Sequence, residues 1–332
     1  MLKGMDHTPG DWGSPYFKQT QYYETVPLAR DNFSGFELAN GERIVCSVDG
    51  GNNTIFESPS ESLHLLRVYF NLFRGKKRVK NVEPLSAYLV AKPDGEGVRA
   101  EIFPLNSSIP LEKRVFMLSA DEINGGGMKN AGHTVRRYLE WLVMKYVCRE
   151  YLEEGDILVK DGALQTGVEE ERSYAEDVYA GCLDKGVALV GVAKTSSLMT
   201  TTGYPLLAAI RMLADDCKNG RWYYHPIAEN RHPDHKGEMY VVKYHPSSDY
   251  VFRTEFYREQ KFSRDEILGE LAIQARDPIF LGYPYGLVDA DKRARVTDEE
   301  VEYLKTVGMG VMGDPMRYRI NSLNAHDILS NI

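Results

Sequence analysis

Ile157-Leu158-Val159-Lys160-Asp161-Gly162 is the stretch on which the reading of the fold turns. Its apolar start is too short for a helix and suits a buried strand. On its N-terminal side, residues 135–153 carry Leu139, Leu142, Val143, Tyr146, Val147 and Leu152 at helical spacing, and Gly155 stops that helix. On its C-terminal side come a helical segment over 174–184, a strongly apolar strand over 187–193 and another helix over 206–217. Strands and helices that alternate in this way predict parallel strands covered by helices, hence an α/β fold.

A second strand has the same form. Val45-Cys46-Ser47-Val48 runs into Asp49-Gly50-Gly51, as 157–160 runs into Asp161-Gly162. A strand holds a terminal carboxylate rigidly, while glycine lets the backbone turn and a ligand approach closely. If the two strands are neighbours, Asp49 and Asp161 converge at one sheet edge. Converging carboxylates repel unless a cation lies between them, and Mg²⁺ or Mn²⁺ suits oxygen donors. Taken singly, each is also a common Asp-Gly turn.

Metal-bound carboxylates without a dedicated phosphate loop point to phosphodiester hydrolysis, in which two ions do most of the chemistry. A third carboxylate is then expected. Glu140, between Leu139 and Trp141 in the helix before the second strand, is the candidate. Lys194 ends the 187–193 strand, where it can pair with a phosphate or a metal-bound hydroxide or, equally, simply leave the sheet for solvent. Arg74, Lys76, Lys77, Arg78 and Lys80 put five cations into seven residues, which suits a turn beside a nucleic-acid backbone or, equally, a solvated hairpin tip.

Further out, segments 65–73, 86–91 and 101–105 read as an antiparallel meander, a β-rich insertion after the first strand. Segments 239–244 and 250–256 read as a hairpin. Ser263 caps a helix with Glu266 at capping-box spacing, 287–295 is helical, and Thr297 caps a last helix. Residues 1–40 lack periodicity and read as an extension, leaving 41–332 as a single domain.

The chain of 332 residues is 43% hydrophobic and 27% charged, enough to bury a sizeable core. A net charge of −8 argues against a wholly basic nucleic-acid binder but leaves room for a local cationic groove. No membrane span or signal peptide is recognisable, so a soluble cytoplasmic protein is expected. Cys46, Cys148, Cys182 and Cys217 lack metal-knuckle spacing and read as structural thiols. His225, His232, His235 and His245 lie close in sequence without a cysteine partner and read as surface loop rather than a zinc site.

Val48-Asp49-Gly50-Gly51-Asn52, Asp161-Gly162-Ala163-Leu164, Gly191-Val192-Ala193-Lys194-Thr195-Ser196 and Gly282-Tyr283-Pro284-Tyr285 occur in an order that resembles the NurA nuclease family, over roughly 43–296. The resemblance implies an RNase H-like mixed sheet flanked by helices. It implies a manganese-dependent (or magnesium-dependent) 5′-to-3′ exonuclease that also cuts single-stranded DNA. It further implies a homodimer that partners a HerA-type hexameric ATPase in resecting DNA double-strand breaks. By position, Asp49, Asp161 and Glu140 match metal ligands, and Lys194 and Tyr283 match supporting catalytic residues. The family usually places a histidine eight residues after that tyrosine, where this chain has Asp291, itself able to ligate a hard metal. His326 is the alternative substitute.

Two other readings remain open. Asp49-Gly50-Gly51-Asn52-Asn53-Thr54 is similar to the phosphate turn of sugar kinases and actin-like ATPases, with Gly308-Met309-Gly310 as an adenosine loop. Asp291 also motivates a DNA-binding subunit whose nuclease site has decayed.

Overall fold

A computed structural model describes residues 12–106, 109–123, 128–215 and 220–311. Its N-terminal strands are β1 (Pro15–Tyr16), β2 (Tyr23–Thr25) and β3 (Phe33–Gly35). A β-rich run follows: β4 (Ile44–Glu57), β5 (Ser62–Arg74), β6 (Lys77–Lys80), β7 (Leu85–Asp94), β8 (Gly97–Asn106) and β9 (Val115–Leu118). Helices and strands then alternate through α1 (Met128–Tyr151), β10 (Ile157–Asp161), α2 (Glu169–Lys185), β11 (Ala188–Ala193), β12 (Met199–Thr200) and α3 (Leu206–Asp215). The remainder comprises β13 (Trp222–Tyr224), β14 (Ala228–Asn230), β15 (Gly237–Lys243), β16 (Phe252–Tyr257), α4 (Arg264–Gln274), α5 (Tyr285–Ala294) and α6 (Asp298–Val311).

Twelve of these strands form one mixed sheet, ordered β3-β13-β15-β16-β11-β10-β4-β5-β7-β8-β9, with β6 paired to β5. The expected parallel centre is present: β10 lies parallel to both β4 and β11, and every other pair in the sheet is antiparallel. The 65–73, 86–91 and 101–105 segments are indeed successive antiparallel strands. Residues of the 12–40 segment pair with three distant parts of the chain, through β1 with β12, β2 with β14 and β3 with β13.

Helices cover both faces of the centre, which is why its strands are apolar throughout. Cys46, Val48, Leu158 and Leu189 pack under Val135, Leu139 and Val143 of α1 and Val178 and Cys182 of α2. Val45, Val159, Val190 and Val192 point the other way, onto Ile267, Leu268 and Leu271 of α4 and Leu287 of α5. Ser263 caps α4, its side chain accepting from the Glu266 N–H, and Thr297 accepts from Glu300 at the start of α6. Among the described residues no helix is long and apolar enough to cross a membrane.

Three expectations need correction. Asp49 does not end a strand: β4 continues to Glu57, because β5 stays paired with it along almost its whole length. Only the parallel partner stops there, its register with β4 ending at Lys160 and Val48. Gly308 and Met309 belong to α6, so no adenosine loop exists at that point, and 49–53 is strand rather than a phosphate-cradling turn. His232 and His235 are buried, and His235 is tied into the core by Glu255.

Cys46, Cys148 and Cys182 are buried free thiols, as read from the sequence. Gly51 faces the end of α5 so closely that an added Cβ would lie 2.2 Å from the Ala294 carbonyl oxygen. Backbone cannot yield as a flexible side chain can. Gly51→Ala is therefore expected to cost about 1–3 kcal/mol, measured by urea unfolding.

Candidate metal centre

Side chains alternate across a strand, so Asp49 shares a face with Val45, and Asp161 shares that face with Val159, beneath α5. Parallel neighbours in register bring the two carboxylates to the same end of the sheet. The backbone leaves at Gly162, with a φ of 103°, and the Gly162 N–H donates to the Val192 carbonyl at 2.9 Å. Gly191 is required at that crossing, since a Cβ there would sit 2.5 Å from the Gly162 carbonyl oxygen.

Asp291, on α5, completes a group of three carboxylates that each offer one oxygen, these oxygens lying within 4.8 Å of one another. Lys194, one residue beyond β11, reaches into the group. Its Nζ is 2.6 Å from Asp161 Oδ2, 2.9 Å from Asp291 Oδ1 and 3.8 Å from Asp49 Oδ2. The buried Tyr283 hydroxyl, just before α5, is 3.5 Å from Asp161 Oδ1.

The charge balance follows from this crowding. Burial, then Asp161 and Glu140, push the Asp49 carboxyl up to about 8, against the pull of Lys194 and the Gly50 N–H. Burial also acts on Asp291, but Lys194 and Arg295 outweigh it and hold that carboxyl below its usual range. Lys194 is kept protonated: Asp161, Asp291 and Asp49 overcome the burial that opposes its charge. Burial, with Asp161 and Asp49, raises the Tyr283 phenol, so it remains a donor. Three hard oxygen donors, one of them so buried and so close to other carboxylates that it resists ionisation, match what a divalent cation relieves.

Glu140 comes from the opposite face, on α1. It packs against Gly50, where an added Cβ would lie 2.6 Å from Glu140 Oε1. Its carboxylate is ion-paired with Arg136, and Arg136 also donates to the Gly50 carbonyl at 3.1 Å. The structure therefore brings Asp49, Asp161, Lys194, Tyr283 and Asp291 together, with Glu140 behind Gly50. His326 lies outside the described residues.

The basic run falls elsewhere. Arg74 pairs with Ile44 and Tyr69 with Asp49, which sets the β5–β6 hairpin about five residues, roughly 17 Å, from the carboxylates. There Arg78 is held by Asp289 at 2.7 Å and by the Tyr69 hydroxyl at 2.8 Å, and Lys80 lies over the Tyr151 ring. Lys76 and Lys77 are exposed.

Sequence reasoning missed three contributors. Arg136 was legible as the i−4 partner of Glu140, and Arg295 as the i+4 partner of Asp291. Glu255 was marked only by being a charge inside an apolar strand. Fully buried, it accepts the Leu164 N–H at 2.7 Å and pairs with Arg253 and His235, fixing the loop that follows Asp161.

Three carboxylates on a parallel strand pair and an apposed helix, beside a lysine and a tyrosine, form a group that could hold a divalent metal ion. The NurA domain model matches residues 43–296, most of the chain, and the chain belongs to that family, one of nucleases. Among solved structures, the NurA nuclease from Sulfolobus solfataricus is similar at 13% identity over 88% of each chain, with a TM-score of 0.48. Human ENDOV is similar at 11% identity over 82% of this chain and 94% of that one, with a TM-score of 0.38. An A. aeolicus Argonaute matches at 8% identity over 77% of this chain and 29% of its own, with a TM-score of 0.33. No curated protein sequence matches.

Proposed function

We propose that this chain is a metal-dependent deoxyribonuclease whose ion is held by Asp49, Asp161 and Asp291. The observation that carries the reading is the convergence of these three carboxylates around Lys194. When bound, Mn²⁺ or Mg²⁺ supplies Lewis-acid polarisation of the scissile phosphate and acidifies water. Lys194 adds a fixed positive charge facing the same phosphate. Tyr283 keeps its proton and orients Asp161 from the buried side. Glu140, behind Gly50 and paired with Arg136, lies outside this group and is the carboxylate a second ion of a two-metal arrangement would draw on.

The finer reading rests on likeness to the family alone. It comprises 5′-to-3′ exonuclease and single-strand endonuclease activity, a homodimer, and a HerA-type ATPase partner in cytoplasmic DNA end resection. Asp291 favours an active site over a decayed one, because it keeps an oxygen donor beside Asp161 and Lys194. The test is degradation of end-labelled single- and double-stranded DNA. Activity with Mn²⁺ that EDTA abolishes supports the reading; no degradation with any divalent ion refutes it.

Lys194→Met is expected to lower kcat by about a hundredfold, with a much smaller effect on KM, because its charge acts on the developing phosphate charge. Steady-state kinetics on a labelled oligonucleotide would measure the split.

A further inference from the structure

A pocket of about 360 Å³ lies between the β5–β6 hairpin and the turn that joins α4 to α5. Its Phe73 wall lies four residues from Asp49 along the β4–β5 register, roughly 13 Å, while Arg78 reaches back to the Tyr69 hydroxyl on the residue opposite Asp49. Lys76, Arg78 and Arg276 line it against a single carboxylate, Asp277. Asp277 is turned to its own loop, accepting the Ile279 N–H at 2.9 Å. Among the described residues neither Lys76 nor Arg276 has an ion-pair partner, although both are exposed.

A second observation comes from the buried lining. Gln274 is 3% exposed; its Oε1 accepts the Gly286 N–H at 3.1 Å, while its Nε2 is buried without any hydrogen-bond partner. A buried amide donor left unpaired is costly, which marks this wall of the pocket as strained. Aromatic surface stands beside it: Tyr285 meets Phe73 edge-on at 5.6 Å, and Arg78 lies over the Phe73 ring at 4.7 Å. Arg78 is already oriented by Asp289, so its guanidinium is fixed before any ligand arrives.

We propose that this pocket binds a phosphate-bearing nucleotide of the substrate strand, several nucleotides from the scissile bond. The inference rests on the nuclease reading for its ligand. Phosphate pairs with the Lys76 and Arg276 charges, and the sugar or base lies against Tyr285. A strand spanning both places is held at two points, which fixes its direction across α5.

Fluorescence anisotropy of a labelled single strand of about twelve nucleotides, in EDTA, tests this. The Lys76→Ala/Arg276→Ala variant is expected to bind about tenfold more weakly, with a log-affinity versus log-salt slope shallower by about 1.4. The same charge change in Lys92→Ala/Arg99→Ala, on the β7–β8 hairpin, is expected to leave both values near wild type. Hydrolysis of bis(p-nitrophenyl) phosphate with Mn²⁺, too small to span the two places, is expected to be the same in all three proteins. Unchanged affinity and slope in the pocket variant, or an equal loss in the hairpin variant, overturns the pocket. Loss of strand binding alongside a wild type that degrades no DNA with any divalent ion upholds the pocket and refutes the nuclease reading instead.

Discussion

Asp161→Ala is expected to lower metal-dependent DNA hydrolysis by about a thousandfold or more, equivalent to about 4 kcal/mol of transition-state stabilisation. The size follows from its position: it contacts Lys194 at 2.6 Å, receives Tyr283 and belongs to the three-carboxylate group. No described neighbour can replace it, because the Gly162 backbone turns away immediately after it. The fold should survive. Asp161 raises the Asp49 carboxyl by repulsion, so removing it relieves a strain while costing Lys194 a partner. Single-turnover cleavage beside a thermal melt checks both halves; a melt far below wild type would make the loss uninformative about catalysis, and retained cleavage would remove Asp161 from the site.

Glu255→Gln is the substitution expected to cost most in stability, about 3 kcal/mol or more, because it leaves Arg253 without its buried counter-charge. The carboxylate also holds the Leu164 N–H and His235, whose Nδ1 lies 3.0 Å from the Tyr23 hydroxyl. One residue thus ties the N-terminal segment, the β15–β16 pair and the loop after Asp161. Burial acts to raise its carboxyl, but Arg253, His235 and the Leu164 amide win and hold it at about 2. An ordinary unfolded glutamate sits near 4.3, so the folded value is the lower one. The stability it lends is complete above about pH 4.3 and is lost as pH falls toward 2. Urea midpoints between about pH 5 and 2 should fall steeply in the wild type and more gently in Glu255→Gln. Parallel acid limbs would contradict the pairing.

The parallel centre was legible because both faces of β4, β10 and β11 are buried, which writes an apolar run into each strand. The convergence of Asp49 and Asp161 was legible for the same reason, since each follows such a run. Strand length was not. Asp49-Gly50-Gly51 reads as a stop, yet the antiparallel partner β5 keeps the chain extended to Glu57, and pairing outweighs the local turn preference of glycine. Glu140 was found as a helix carboxylate, but its partner Arg136 and its route past Gly50 depend on how α1 crosses the sheet. The histidines were misplaced because burial of His235 is decided by Glu255 from another strand. The basic run was read correctly as a turn between strands, while its distance from the aspartates followed only from the β4–β5 register.

The central claim is that Asp49, Asp161 and Asp291 together hold a divalent ion. Electron paramagnetic resonance titration with Mn²⁺ tests it without recourse to turnover. Wild type is predicted to bind Mn²⁺, Asp49→Ala to lose that binding, and Asp291→Ala to weaken it. A wild type that leaves all Mn²⁺ free, or variants that bind it as wild type does, would contradict the claim.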